Sequence, residues 1–157
     1  MADLRALLTD LGYTDVKTVL NSGNAVVTGR KADPTKQAAA IEAAITDKLG
    51  LDVRCLVLTT EHVRTIVDGH PFAEIADNGS RMMAHILAAT PDAALLAEHD
   101  PVALDPDRAQ LGDRVLYQWC PDGVLDAPQI ATFAEKKLGV AVTARNWNTL
   151  TKLADLL

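Results

Sequence analysis

Hydrophobic periodicity switches between 2 and 3.6 in a fixed order along this chain, and that order constrains the fold more than any other feature. From Arg81 onward, "RMMAHILAA" reads as a strand, and Pro91 and Asp92 open a short helix carrying Leu95 and Leu96. "PVALD" and "RVLYQW" read as strands, and "DGVLDAP" as a loop. A helix carrying Ile130, Phe133, Ala134 and Leu138 then stops at Gly139. "VAVTA" is a final strand before a closing helix through Leu150, Leu153 and Leu157. Read as β-α-β-β-α-β, this is the split βαβ order of ferredoxin-like folds.

The first half repeats the order without its opening strand. Leu4, Leu7, Leu8 and Leu11 mark an amphipathic helix ended by Gly12. "VKTVL" and "AVVTG" flank the turn-rich "NSGN". Pro34 opens a long helix through Ile41, Ile45 and Leu49 that Gly50 ends, and "VRCLVL" reads as a strand. Thr60 caps a short helix through Val63, Ile66 and Val67, which "GHPF" breaks. The expected architecture is α+β: two ferredoxin-like halves, 1–78 and 79–157, packed as one unit, the first incomplete, with a C-terminal helix. In such a sheet the first strand is central, so its loss strands backbone groups that are costly to leave unpaired. The gap is expected to be filled by a segment upstream of Met1 or by another chain.

Composition narrows the class. Aromatics make up 4% of 157 residues and hydrophobic residues 48%, so the core is aliphatic. No apolar run approaches the ~20 residues of a membrane helix. The start, "MADLRALL", lacks the pattern of a secretory signal. Cys55 and Cys120 fit no metal or redox spacing and read as buried free thiols, which suits a reducing cytoplasm. A net charge of −6 disfavours non-specific binding to nucleic acid without ruling out a specific contact. Residues 92–126 hold eight acids against Arg108 and Arg114, whereas the tail from Phe133 carries four bases against two acids.

Two polar stretches are candidates for a site. In "VTARNWNTLTKL", Arg145, Asn146, Asn148 and Thr149 surround Trp147 at the entrance to the last helix. Free helix N–H groups beside an arginine suit an anion, and either asparagine also suits an ordinary N-cap. In Asn21, Ser22, Gly23 and Asn24, glycine and the asparagines tolerate positive φ, which suits a hairpin turn and also presents donors to a ligand. His62, His70, His85 and His99 have no metal-ligand spacing, and neither a metal nor a cofactor is expected. Tyr117 and Trp119, two apart on one strand, share a face as base-stacking residues do in RNA-binding sheets, or simply fill the core.

These stretches together resemble a known family. "MADLRALLTDLGYTDVKTVLNSGNAVV", "HPF" and "KKLGVAVTARNWNTLTKL" are similar to the bacterial family catalogued as Domain of Unknown Function 1697. The resemblance runs over nearly the whole chain, with Ser22-Gly23-Asn24 and Thr143, Arg145, Asn146 and Trp147 as its most specific motifs. It implies two intertwined ferredoxin-like halves and an N-terminal strand with an Arg-Gly-Ile-Asn-Val-Gly-Gly type loop, which this chain lacks. It implies no reaction.

The leading expectation is therefore a cytoplasmic protein binding a small anionic or polar ligand, such as a nucleotide, at Asn21, Ser22, Gly23, Asn24, Arg145, Asn146, Asn148 and Thr149 on one shared surface. No catalytic constellation stands out. The alternatives are a protein-interaction module, dimeric through exposed strand edges, and an RNA-binding module using Tyr117 and Trp119. No membrane association is expected.

Overall fold

Six α-helices and two antiparallel sheets make the protein an α+β fold in the computed structural model, which describes residues 1–157. The chain divides into two units, Met1–Val63 with Lys152–Leu157, and Arg64–Thr151.

The first unit holds α1 (Ala2–Asp10), the hairpin β1 (Thr14–Val19) and β2 (Asn24–Thr28), and α2 (Pro34–Leu49). Pro34 and Gly50 mark the ends of α2 as read from sequence, and the structure adds a side-chain cap at Asp33. Asp33 accepts from the Thr35 N–H, Pro34 occupies the first turn, and Gly50 closes the helix at φ 66°. Leu7 and Leu8 of α1 and Ile41 and Ile45 of α2 form the buried core, flanked by Val16, Ala25, Val27, Cys55 and Val57.

"VRCLVL" forms no strand. Cys55 and Val57 still alternate onto the core, as in a strand, but the segment has no neighbour with which to form a ladder. The Cys55 N–H is taken instead by Glu42 Oε1 of α2 at 2.7 Å. The next helix, α3 (Thr60–Asp68), is capped by Thr59, whose hydroxyl accepts from the His62 N–H at 3.1 Å, rather than by Thr60.

The second unit contains β3 (Met82–Leu87), α4 (Ala93–Glu98), β4 (Ala109–Gly112), β5 (Val115–Trp119), α5 (Ile130–Leu138) and β6 (Val142–Asn146), and α6 (Trp147–Ala154) begins there. Its strands lie in the order β4-β5-β3-β6, all neighbours antiparallel, which is the split βαβ arrangement. "PVALD" is not one of them. Pro101–Leu104 is a single 3-10 turn, with Asp100 accepting from the Val102 N–H at 2.9 Å. Proline has no N–H for a ladder and suits the first turn of a helix, so the local cap prevails over the apolar run. The strand at that place in the order is the less apolar Ala109–Gly112.

Strand β3 is central, and all six of its residues are buried. On one face Leu87, Leu116 and Ala109 pack with Ile130, Ala134 and Leu138 of α5. The same face carries a buried polar pair. His85 Nε2 donates to Gln118 Oε1 at 2.9 Å, while Gln118 Nε2 donates to the Pro128 carbonyl at 2.9 Å and to Asp105 Oδ2 at 3.3 Å. Because the glutamine amide spends its N–H groups on those oxygens, its carbonyl faces the imidazole and fixes the Nε2–H tautomer. His85 Nδ1 has no partner. Burial lowers the His85 pKa, against a smaller raising effect of the Gln118 bond.

Both cysteines are free. Cys120 is buried and Cys55 half-buried. Burial, with Asp105 beside it, pushes the Cys120 thiol up to about 11, and burial and then Glu42 raise Cys55, so neither is an activated nucleophile.

Candidate functional site

The polar turn closes on itself. Leu20 to Gly23 link the two strands of the hairpin, and the positive φ values fall at Leu20 (59°) and Gly23 (80°) rather than at the asparagines. Asn24 is 6% exposed, and its amide donates to Ser22 Oγ at 2.8 Å and to the Val19 carbonyl at 3.2 Å. These two amide N–H bonds are therefore spent on the hairpin's own backbone and on Ser22. Asn21, Ser22 and Gly23 are exposed at the tip.

The other group lies in the second unit, where β6 runs directly into α6. Asn146 is the cap: its Oδ1 accepts from the Thr149 N–H at 3.0 Å. Thr149 is buried, and Asn148 is exposed. The Trp147 N–H donates to the Gly79 carbonyl at 3.0 Å. Gly79 itself abuts the Asn148 side chain, since a Cβ there would meet Asn148 Oδ1 and lie 2.9 Å from its Cγ. Two of the helix's entrance residues are thus held by one loop glycine.

Arg145 is placed by register. Antiparallel pairing sets it opposite Ala84, and Ala84 opposite Tyr117, so the three form a row across β6, β3 and β5 on the face away from α5. With strands about 4.8 Å apart, Arg145 and Tyr117 stand roughly 10 Å apart along the sheet with only a methyl group between them. The Arg145 guanidinium is half-buried, and one of its N–H groups donates to the Ala144 carbonyl at 2.8 Å. Burial lowers its pKa, as desolvation does for any cation.

Three rings gather on this face. His70 lies 4.3 Å from Trp147 between ring centroids, His70 stacks 6.5 Å from Tyr117, and Tyr117 is 6.3 Å from Trp147. His70 Nδ1 accepts from the Phe72 N–H at 3.2 Å, which leaves the proton on Nε2. Burial lowers the His70 pKa, so the ring favours its neutral form. Sequence reasoning missed His70 as a member of this group. Its neighbours come from three distant stretches, and the only local sign was the "HPF" run.

Tyr117 and Trp119 offer no stacking platform. They are 2% and 8% exposed, and the Tyr117 hydroxyl donates to the Ile66 carbonyl of α3 at 2.6 Å. The Tyr117 ring occupies space left by two glycines: a Cβ at Gly69 would stand 2.8 Å from its hydroxyl, and one at Gly112 2.8 Å from Cε2. Burial and the Asp113 carboxylate push the phenol up to about 12. The pair fills the core.

A cavity of about 350 Å³ opens in the first unit, lined by Leu11, Gly12, Tyr13, Gly29, Arg30, Ala32 and Gln37. None of the site residues read from sequence lines it. No group of three or more His, Cys, Asp or Glu residues is placed to hold a metal ion, and no helix is long and apolar enough to cross a membrane.

Residues 1–117 match the model of a family described as Protein of unknown function (DUF1697). The chain belongs to this family. The range shared with DUF1697 contains the Ser22-Gly23-Asn24 turn and His70-Pro71-Phe72, and it ends before Thr143–Trp147. No curated protein matches the chain, and no solved structure does.

Proposed function

We propose that this DUF1697 protein binds a small anionic or polar ligand with the chemistry of a nucleotide on the β6–α6 face of its second unit. Arg145 supplies the cation for an anionic group, and His70 and Trp147 supply flat faces against which a base packs. Asn148, exposed beside Gly79, offers an amide at the rim. The observation carrying this reading is the row Tyr117–Ala84–Arg145. A half-buried guanidinium shares a sheet face with a three-ring cluster, separated from Tyr117 only by alanine. The reading rests on residues of the second unit alone and does not require the Asn21–Asn24 turn.

Isothermal titration with a panel of nucleoside mono-, di- and triphosphates tests it, with the unmodified protein beside Arg145→Ala and His70→Ala. The expected result is saturable binding of at least one member. Arg145→Ala should weaken it tenfold or more, about 1.4 kcal/mol, and His70→Ala should weaken it less, with both variants folded by circular dichroism. Equal affinity for the unmodified protein and Arg145→Ala removes Arg145 from the site and sinks the proposal.

A further inference from the structure

The loop between α3 and β3 contains Asn78-Gly79. The other asparagines, Asn21, Asn24, Asn146 and Asn148, are followed by serine, alanine, tryptophan and threonine. The backbone nitrogen after an asparagine can close a succinimide ring on the side-chain carbonyl carbon, and a glycine there removes the Cβ that otherwise crowds the approach.

The turn that carries this pair is held on several sides. The Arg81 N–H donates to the Asn78 main-chain carbonyl at 3.0 Å, and Arg81 Nη1 donates to the Pro121 carbonyl at 2.6 Å. The Gly79 carbonyl takes the Trp147 N–H at 3.0 Å. Asn78 is exposed, yet its side chain is oriented: Oδ1 accepts from the Ser80 N–H at 3.0 Å and from the Ser80 hydroxyl at 2.5 Å. Bonded forward to Ser80, the side chain lies along Gly79, whose own N–H is in no backbone hydrogen bond.

We propose that Asn78 and Gly79 form a self-modification site, in which the Gly79 nitrogen attacks the Asn78 side-chain carbonyl and the isoaspartate that results loosens the entrance of α6. This stands independently of the nucleotide reading.

The reaction needs water and no other reagent. Water or hydroxide removes the Gly79 N–H proton, the nitrogen bonds to Asn78 Cγ, and the carbonyl electron pair moves onto Oδ1. Both Ser80 donors already point at that oxygen, so the negative charge develops where hydrogen bonds are in place. When the electron pair returns, the bond from Cγ to the amide nitrogen breaks, and ammonia leaves with a proton from water. Water then adds to one carbonyl of the imide. Opening at the main-chain carbonyl carbon leaves the backbone running through Cβ and Cγ, which is isoaspartate, and opening at Cγ leaves an ordinary aspartate.

The two products differ in what they do to the fold. Isoaspartate lengthens the backbone by a methylene directly before Gly79. That residue has no slack, because a Cβ on it would already lie 2.9 Å from Asn148 Cγ, and its carbonyl is the acceptor for Trp147. Both contacts at the start of α6 therefore have to shift. Aspartate leaves the backbone length and the Ser80 bonds as they are.

The test ages the full chain in mildly alkaline buffer and digests it with trypsin. The fragment Thr65–Arg81 contains Asn78 and no other asparagine or glutamine. The mass gain of amide-to-carboxylate exchange in it therefore reports this residue, and electron-transfer fragmentation separates isoaspartate from aspartate. The gain should appear there ahead of the fragments carrying the other asparagines, with isoaspartate the main product. Ser80→Ala removes only the hydroxyl bond. It should keep the circular dichroism spectrum and slow the gain by roughly threefold or more, less than the loss on removing such a donor from a water-excluded site. In urea, where the turn is gone, both chains should age at one rate. The Trp147 amide should exchange with deuterium faster in the aged protein than in the fresh one, and at the fresh rate in Asn78→Asp. The inference is overturned by any of four results: no early gain in Thr65–Arg81, an equal rate in folded Ser80→Ala, a Ser80 effect that persists in urea, or unchanged Trp147 exchange in the isoaspartate form.

Discussion

Replacing Gln118 by Leu leaves the His85 Nε2–H without its acceptor inside a sheet face where His85 is 5% and Gln118 2% exposed. A tautomer change offers no relief, because Nδ1 is already without a partner. The Pro128 carbonyl loses one donor but keeps the Ile130 N–H at 2.9 Å, so the imidazole bears most of the loss. A buried unsatisfied donor costs about 1–3 kcal/mol. His85→Leu strands the Gln118 carbonyl instead, at a similar cost of about 1–3 kcal/mol. In the double variant both members of the pair are gone, so it should lose less than the sum of the singles, with a coupling of about 1–3 kcal/mol. Urea titrations followed by circular dichroism give the three differences from their midpoints at constant slope. Single-variant losses that simply add, within about 0.5 kcal/mol, would refute the hydrogen-bonded pair and with it the Nε2–H tautomer.

The same histidine sets a pH dependence. Burial holds the His85 and His70 pKa values below the ordinary 6.5, so below about pH 6.5 the unfolded chain takes up protons that the folded chain refuses. Stability is therefore full above that pH and falls as pH drops toward the lowered folded values. Urea midpoints between pH 7.5 and 5 should show this, and the His85→Leu/Gln118→Leu variant should show a shallower fall; an unchanged slope in that variant would remove His85 as a cause. Tyr117→Phe should lower stability by about 1–3 kcal/mol by leaving the Ile66 carbonyl unpaired, with little change in the near-ultraviolet signal of Trp147. An unchanged urea midpoint would show that the hydroxyl finds no such bond in solution.

Most helices were legible in the sequence because their ends carry their own chemistry. Asp33-Pro34 with Gly50, Asp92, Gly139 and Asn146 each satisfy or terminate a helix locally, so no knowledge of distant neighbours is needed. Strands depend on partners, and there the reading faltered. "VRCLVL" has the composition and alternation of a strand, and its side chains behave as one, but a ladder needs a second backbone. "PVALD" failed for the opposite reason: four apolar-leaning residues have no period of their own, and the Asp100-Pro101 cap settles them as a helical turn. The candidate site was legible only as a list of polar residues. Whether such a residue points inward is a tertiary fact. Asn24 is buried against its own hairpin while Asn148 is exposed, although both sit in runs of similar composition.

What spacing alone does not supply is register, and the β6–α6 face depends on it. Arg145 shares a face with Tyr117 because Ala84 pairs with both. Sliding β6 by one residue along β3 would send Arg145 to the face that packs on α5 and bring Ala144 in its place. Two features oppose that slip. Val142 pairs with Leu87 and packs against the cluster of Leu87, Leu116, Ile130, Ala134 and Leu138, so a shift would bury the arginine among aliphatic side chains. At the strand's end, the Trp147 N–H is fixed to the Gly79 carbonyl, and Asn146 turns the chain into α6. Hydrophobic burial on one face thus determines where the single strand arginine stands on the other. The polar group at the β6–α6 entrance is therefore positioned by the aliphatic core behind it as much as by any contact of its own.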